Sequence, residues 1–401
     1  MITTKNNEHK KLNVPNLRFP EFQGEWEKCK LSEICTFFSG GTPSSSNKDF
    51  YGGNIAFIRS GELHADSTEL FITQAGFDSS SAKMVEIGDL LLAMYGATSG
   101  NIAVSKIKGA INQAILCIRT KQNKIIIESV WNKHVSKNLK KYLQGGQGNL
   151  SADIVKGISF FFPTLKEQEK IANIVSLLDE RIATQNKVID RLQSLIKGLN
   201  DSLYAQYGGK VLTSFAELGT SYSGLSGKSA QDFGSGKPFI TYLNVYSNNV
   251  INENEFQYVA IKDDEKQNVA EYGDVLFTLS SETPREVGIG SVYLGKEKVY
   301  LNSFCFGIHI TNTKVAFSPY LSYYVSSTPF RKFVYPYAQG STRFNLCKAD
   351  FEKASIKLPT LENQKRIYSI LSHIDSKIET EIQMLNLYNS QKQYLLRQMF
   401  I

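Results

Sequence analysis

PTLKEQEKIANIVSLLDERIATQNKVIDRLQ, residues 163–193, holds no glycine or proline beyond its first residue, and none follows until Gly198. The run predicts one long helix over 163–207. Thr164 and Glu167 have capping-box spacing, so the hydroxyl and the carboxylate are expected to take one orphan amide each. Apolar residues recur in alternating steps of four and three: Ile171, Val175, Leu178 and Ile182, then Gln185, then Ile189, Leu192, Ile196, Leu199 and Leu203. A mean step of 3.5 is the signature of a coiled-coil seam, and a single polar residue inside a seam sets register.

The same pattern returns at the C-terminus. A constant offset carries Pro163-Thr164-Leu165 to Pro359-Thr360-Leu361, Gln168 to Gln364, Asp179 to Asp375 and Ile182 to Ile378. The second seam reads Ile367, Leu371, Ile374, Ile378, Glu381, Leu385, Tyr388, Lys392, Leu395, Met399. Its polar break, Glu381, falls where Gln185 breaks the first. Any two amphipathic helices share a period. A shared PTL opening, a gapless phase and a matching polar break point further, to duplication.

The segments between the helices repeat as well. LSEICTFFSGG at Leu31–Gly41 is echoed by FAELGTSYSGL at Phe215–Leu225, and NIAFIRS by KPFITYL. IGDLLLA is echoed by YGDVLFT, matching Gly88-Asp89 with Gly273-Asp274, and Asn112 matches Asn302. The helical run IIIESVWNKHVSKNLKKYL is echoed by YLSYYVSSTPFRKFV, and GGQGNL by AQGSTRFNL, pairing Asn149 with Asn345. Residues 64–80 and 246–268 do not match, nor do the loops after each GD strand. The expected plan is an N-terminal tail (1–16), a domain (17–162), a helix (163–207), a second domain (208–358) and a second helix (359–401). The short apolar runs separated by Gly, Ser and Asn read as strands and turns, which makes the fold class mixed α/β. Divergent loops on a shared frame suit two binders of different ligands.

At 401 residues the chain is long enough for two substantial cores. No apolar run reaches the length of a membrane span, and the N-terminus lacks the apolar core of a signal peptide. The five cysteines are scattered without a CxxC pair, which fits a reducing cytoplasm and suggests neither a disulfide framework nor a zinc site. A net charge of +7 permits a nucleic-acid partner without requiring one.

No catalytic motif emerges. GLSGKS at Gly224–Ser229 imitates a phosphate loop but has Tyr222 where the first glycine is needed. The five histidines form no metal-binding pair, and no GxSxG elbow is present. Asp264-Glu265-Lys266 has nuclease-like spacing but no placed upstream acid, and reads as a charged turn. The DPPY-like loops of amino-methyltransferases are absent.

Two variable α/β domains alternating with two similar helices, each opening PTLxxQ and ending in LxxxLY or LLRQMF, resemble the specificity subunit of type I restriction–modification systems. The resemblance runs from Leu17 to Ile401. Its most specific parts are the openings at Pro163 and Pro359 and the GD strands at Gly88 and Gly273. It implies two target recognition domains, each reading one half of a bipartite, asymmetric double-stranded DNA site. It also implies an antiparallel coiled coil that spaces the domains and docks two methyltransferase subunits, with restriction subunits joining that core. The chain itself would be non-catalytic and carry no cofactor; S-adenosylmethionine, ATP and Mg2+ are expected on partner subunits. Gln185 and Glu381 would approach each other and pin the register.

Affinity for DNA should come from Lys and Arg at phosphates, and specificity from side chains at base edges. In the first domain the candidates are Ser39, Gly40, Thr42, Ser44, Arg59, Tyr95, Thr98, Asn101, Gln113, Gln147 and Asn149. In the second they are Tyr222, Ser223, Lys228, Tyr242, Asn244, Glu282, Arg285, Ser303, Thr342, Arg343 and Asn345. Arg343 leads, since arginine to guanine is the commonest specific contact. Lys140, Lys141, Arg331 and Lys332 fit phosphate contacts or a solvated helix face. For many of these residues a turn that bonds its own backbone is an equal reading. The alternatives in other classes are a protein–protein scaffold without DNA specificity and an enzyme with an unrecognised site.

Overall fold

The computed structural model describes residues 13–135 and 149–401. The chain divides into two units, Met1–Gln185 with Met384–Ile401, and Asn186–Gln383.

In the first unit a two-stranded ribbon pairs Glu27–Lys30 with Ser159–Phe162. An antiparallel sheet runs in the order Cys35–Ser39, Ile115–Thr120, Leu90–Ala93, Ile102–Val104. A second sheet runs Phe71–Ile72, Tyr51–Ile58, Gly109–Ile111, Lys83–Val85, with one parallel pair, Phe57 opposite Ala110. The strand Leu90–Ala93 is apolar throughout because it is buried on both faces. Side chains alternate along a strand, so Leu90 and Leu92 enter one core with Trp26, Leu31 and Trp131. Leu91 and Ala93 enter another with Ile58, Val85 and Ile111.

The second unit repeats this topology strand for strand. Val211–Thr213 pairs with Ile356–Leu358. Its sheets run Gly219–Ser223, Cys305–Ile310, Val275–Thr278, Gly290–Val292, and Gln257–Val259, Phe233–Ile240, Val299–Leu301, Val269–Ala270. Val275 and Phe277 face the aromatic core around Phe215, Phe306, Phe330 and Phe351, and Leu276 faces the opposite one. A further sheet orders Ser280–Ser281, Phe344–Leu346 and Ala338–Gln339. The stretches 64–80 and 246–268, which share no sequence, nonetheless supply equivalent edge strands, Phe71–Ile72 and Gln257–Val259. Edge pairing uses backbone groups, so the frame survives there without side-chain identity.

The matched motifs prove to be frame-building. Gly88 and Gly273 have φ of 90° and 92°, a region that favours glycine. The following aspartates close the turn: Asp89 accepts from the Glu86 amide at 3.0 Å and Asp274 from the Glu271 amide at 2.9 Å. Asn112 and Asn302 make Asx turns, accepting from the amides of Ala114 (3.0 Å) and Phe304 (2.9 Å).

The long helices span Leu165–Tyr207 and Leu361–Gln398. Every residue of both expected seams is buried or half-buried. In the first unit the helical segments run antiparallel: Lys392 pairs with Asp179, the Arg181 guanidinium lies 5.9 Å from the Tyr388 ring centre, and Met399 packs in the core with Ile171 and Val175. In the second unit Leu203 packs with Ile367 and Leu371, and Arg366 lies 5.5 Å from the Tyr207 ring centre.

Each PTLxxQ glutamine does the same work. Gln168 Nε2 donates to the Pro163 carbonyl at 2.9 Å while its Oε1 accepts from the Asn123 amide at 3.0 Å. Gln364 Nε2 donates to Pro359 at 2.9 Å and Val315 at 2.8 Å, and its Oε1 accepts from the Phe317 amide at 2.8 Å. The capping box at Thr164 is half-formed. The Glu167 amide meets Thr164 Oγ1 only at 3.5 Å, and the carboxylate, 1% exposed, is taken by Arg18 instead. A desolvated carboxylate gains more from a guanidinium fork than from one amide. Among the described residues no helix is long and apolar enough to cross a membrane.

Candidate nucleic-acid interface

The end of the GD strand, the Asx turn and a third segment meet in each unit through equivalent backbone bonds. In the first unit the Met94 amide donates to the Ala114 carbonyl and the Leu150 amide to the Met94 carbonyl, both at 2.8 Å. In the second, Leu279 donates to Phe304 and Leu346 to Leu279, again both at 2.8 Å. Loop side chains differ around this shared junction, and several of the expected DNA-reading residues lie there.

In the first unit the junction gathers Tyr95, 43% exposed, the exposed Gln113 and the half-buried Asn149. Thr42 joins them by donating its hydroxyl to Gln113 Oε1. Thr98 and Asn101 shape the turn after Tyr95: the Asn101 amide donates to the Thr98 carbonyl at 3.0 Å. Ser39 is exposed at the end of its strand. Ser44 and Ser46 hydroxyls lie 2.7 Å apart in a surface loop. Arg59 turns back on Glu62 at 2.7 Å, so its fork is already engaged. Gly40 is explained by packing: a Cβ there would stand 1.7 Å from the Ile111 carbonyl oxygen, and at its counterpart Gly224 a Cβ would stand 2.0 Å from the Asn302 carbonyl oxygen. Lys140, Lys141 and Gln147 lie outside the described residues.

In the second unit Arg343, Ser303, Thr342, Asn345 and Glu282 are exposed and Tyr242 is half-buried. Arg343 Nη2 donates to Ser280 Oγ at 3.3 Å, and its guanidinium lies 5.8 Å from the Phe304 ring centre. Tyr242 donates its hydroxyl to the Ser280 carbonyl at 2.8 Å. Asn345 stands opposite Ser280 in the strand ladder. Tyr242, Leu243, Tyr246, Ser280, Glu282, Glu286 and Arg343 line one cleft. Glu286 is held ionised, below its ordinary pKa, by the hydroxyls of Thr283, Tyr246 and Ser281.

Several expected contacts in this unit face inward. Tyr222 is 7% exposed, donates to Asp274 Oδ2 at 2.7 Å and stacks on His309 with ring centres 4.2 Å apart. Asn244 is fully buried; its amide nitrogen donates to the Asn252 carbonyl at 2.9 Å and its oxygen accepts from the Asn252 amide at 3.0 Å. Lys228 donates to the Ala260 carbonyl at 2.7 Å and pairs with Glu265. Arg331 spends its fork on the carbonyls of Gly288 (2.6 Å), Arg285 (2.8 Å) and Val287 (2.7 Å), and burial lowers its pKa. These four hold loops in place. Ser223, Arg285 and Lys332 are exposed.

The GD aspartates show how the frame tolerates different chemistry. Asp89 is buried, but hydrogen bonds from Arg119 and the Glu86 amide overcome that burial and depress its pKa. At the same register in the second unit stands His309, which lies 2.9 Å from Asp274; there burial dominates and the carboxyl is raised.

Sequence reasoning missed Phe304, Ser280 and Tyr246. The available signal was position: Phe304 follows the matched Asn302 in the turn, where an aromatic has no frame to fill and is 55% exposed.

The family described as "Type I restriction modification DNA specificity domain" matches residues 23–194 and 220–387. A putative type I restriction enzyme MjaX specificity subunit of Methanocaldococcus jannaschii is 26% identical over 92% of each chain. The EcoR124I/EcoR124II specificity subunit of Escherichia coli is 26% identical over 41% of this chain and 43% of its own. The crystal structure of a type I restriction-modification S subunit from M. genitalium aligns over 97% of this chain and 99% of its own, with a TM-score of 0.57 at 12% identity. Two copies of one domain, each joined to a long PTL-headed helix, agree with these matches in extent and in order. The chain belongs to the type I restriction–modification DNA specificity family, as one of its non-catalytic specificity subunits.

Proposed function

We propose that this chain reads a bipartite, asymmetric double-stranded DNA site, one half with each recognition domain, inside a type I restriction–modification complex in the cytoplasm. The observation that carries the reading is the shared junction with exchanged side chains. The same backbone bonds present Tyr95 with Ala114 in one unit and Ser280 with Phe304 in the other. One frame with two sets of polar and aromatic groups suits two base sequences on one kind of duplex.

The long helices act as the spacer and the dock for two methyltransferase subunits, with restriction subunits joining them. Gln185, buried in one seam, and Glu381, half-buried in the other, serve as register pins. S-adenosylmethionine, ATP and Mg2+ work on the partner subunits.

Single-molecule methylome sequencing of cells with and without this gene, beside its methyltransferase partner, tests the reading. The expected result is one gained motif: two short half-sites with a fixed gap and an adenine modified on each strand. Exchanging residues 208–358 for those of a relative should change one half only. A soluble, assembled complex that yields no motif would favour the protein-scaffold alternative.

A further inference from the structure

We infer that Arg343 reads a guanine in the second half-site, and that Phe304 and Ser280 are the positioning residues that make it selective. The inference rests on the DNA-reading function proposed above.

Arg343 lies just after the turn of the hairpin that joins Ala338–Gln339 to Phe344–Leu346. That turn is tight: at Gly340, φ +140°, a Cβ would stand 2.1 Å from the Arg343 carbonyl oxygen. The backbone under Arg343 therefore has little freedom. Its guanidinium rests 5.8 Å from the centre of the Phe304 ring, and one nitrogen bonds Ser280 Oγ at 3.3 Å. Ser280 is itself pinned, its carbonyl accepting from Tyr242 and its backbone pairing with Asn345.

Four of the other described arginines are already engaged. Arg18, Arg59 and Arg119 are paired with carboxylates, and Arg331 donates to three carbonyls. Arg343 forms no ion pair with a described residue, although Glu282 and Glu286 line the same cleft. Only one of its five N–H donors is committed. An arginine that is exposed, oriented and uncommitted has its fork available to a ligand with two adjacent acceptors. In duplex DNA those are O6 and N7 of guanine in the major groove. A phosphate is the competing ligand, but it would not require the ring and the hydroxyl that flank the fork. The exposed Phe304 edge offers an apolar surface for a neighbouring thymine methyl. The first unit has Ala114 at the place of Phe304 and Tyr95 at the place of Ser280, so this constellation belongs to the second half-site alone.

The test uses the purified, assembled complex and a pool of duplexes randomised over both half-sites, with bound sequences counted. The wild-type complex should select a guanine at one position of the second half. Arg343→Ala should relax that position by roughly ten- to hundred-fold and leave the first half unchanged. Phe304→Ala and Ser280→Ala should relax the same position. Phe304→Tyr and Ser280→Thr should retain the preference, whereas a merely stabilising role would have the alanine variants weaken binding on every sequence alike. Equal weakening on every sequence by Arg343→Ala, or an unchanged preference in that variant, assigns Arg343 elsewhere and overturns the inference. A wild-type second half without guanine overturns it alone. A wild-type complex without preference in either half overturns the DNA reading as well.

Discussion

Arg18 closes on Glu167 through two parallel bonds, Nε to Oε1 and Nη2 to Oε2, each 2.8 Å. The Trp26 indole donates to the same carboxylate at 3.3 Å. The N-terminal segment is thereby tied to the first turn of the long helix, with hydrogen bonding between Arg18 and Glu167 raising the guanidinium pKa. Glu167→Ala leaves a half-buried guanidinium without its carboxylate, and we expect a loss of about 1–3 kcal/mol from the first unit. Both tryptophans of the chain, Trp26 and Trp131, lie in that unit, so urea unfolding followed by tryptophan fluorescence reads it directly. An unchanged midpoint would show that the pair contributes nothing.

Gln168 and Gln364 offer a matched comparison. Each is buried, and each satisfies backbone groups that water cannot reach. Replacement by alanine leaves a buried amide and carbonyls without partners, at a cost of about 2–3 kcal/mol in the unit concerned. Gln168→Ala should move the fluorescence-detected transition. Gln364→Ala should leave it in place and shift a separate component seen by circular dichroism, because the second unit has no tryptophan. Coincident shifts in both variants would show the units unfolding as one.

Glu128 supplies a pH dependence. Burial pushes its carboxyl up from 4.5 to about 7; Lys392 opposes the shift and Asp179 adds to it. Between those values the folded chain holds a proton that the unfolded chain has released. Stability from this group is therefore complete below about pH 4.5, falls as pH rises, and is lost above about pH 7. Glu128→Gln removes the decline. Its stability relative to wild type should rise from pH 5 to about pH 7 and level off above it, by about 1–3 kcal/mol in total. Parallel pH profiles for the two proteins would refute the assignment.

Helix length offers a geometric test of the spacer. One heptad inserted in phase into both long helices adds about 10 Å, the length of about three base pairs. The methylated motif should keep both half-sites and widen its gap by about that much. A motif with an unchanged gap would separate helix length from DNA spacing.

The sequence by itself determined the repeat, the seams and the positions that build the frame. Periodicity survives in a linear string, and Gly88, Asp89, Asn112 and Gln168 recur with their partners because turns and helix starts depend on local backbone geometry. Trp26 shows where local reasoning stops. Nothing near it in the chain places its indole beside Glu167, and Glu167 was expected to cap its own helix until Arg18 arrived from a distant segment. The recognition junction has the same character. Exposed polar residues in loops could be named, but Tyr222, Asn244, Lys228 and Arg331 carry hydrogen-bond donors as Arg343 does. Only the fold decided which were spent on carbonyls and carboxylates inside the domain and which were left facing solvent. Hydrogen-bond satisfaction is set by neighbours distant in sequence, and a linear pattern does not contain them.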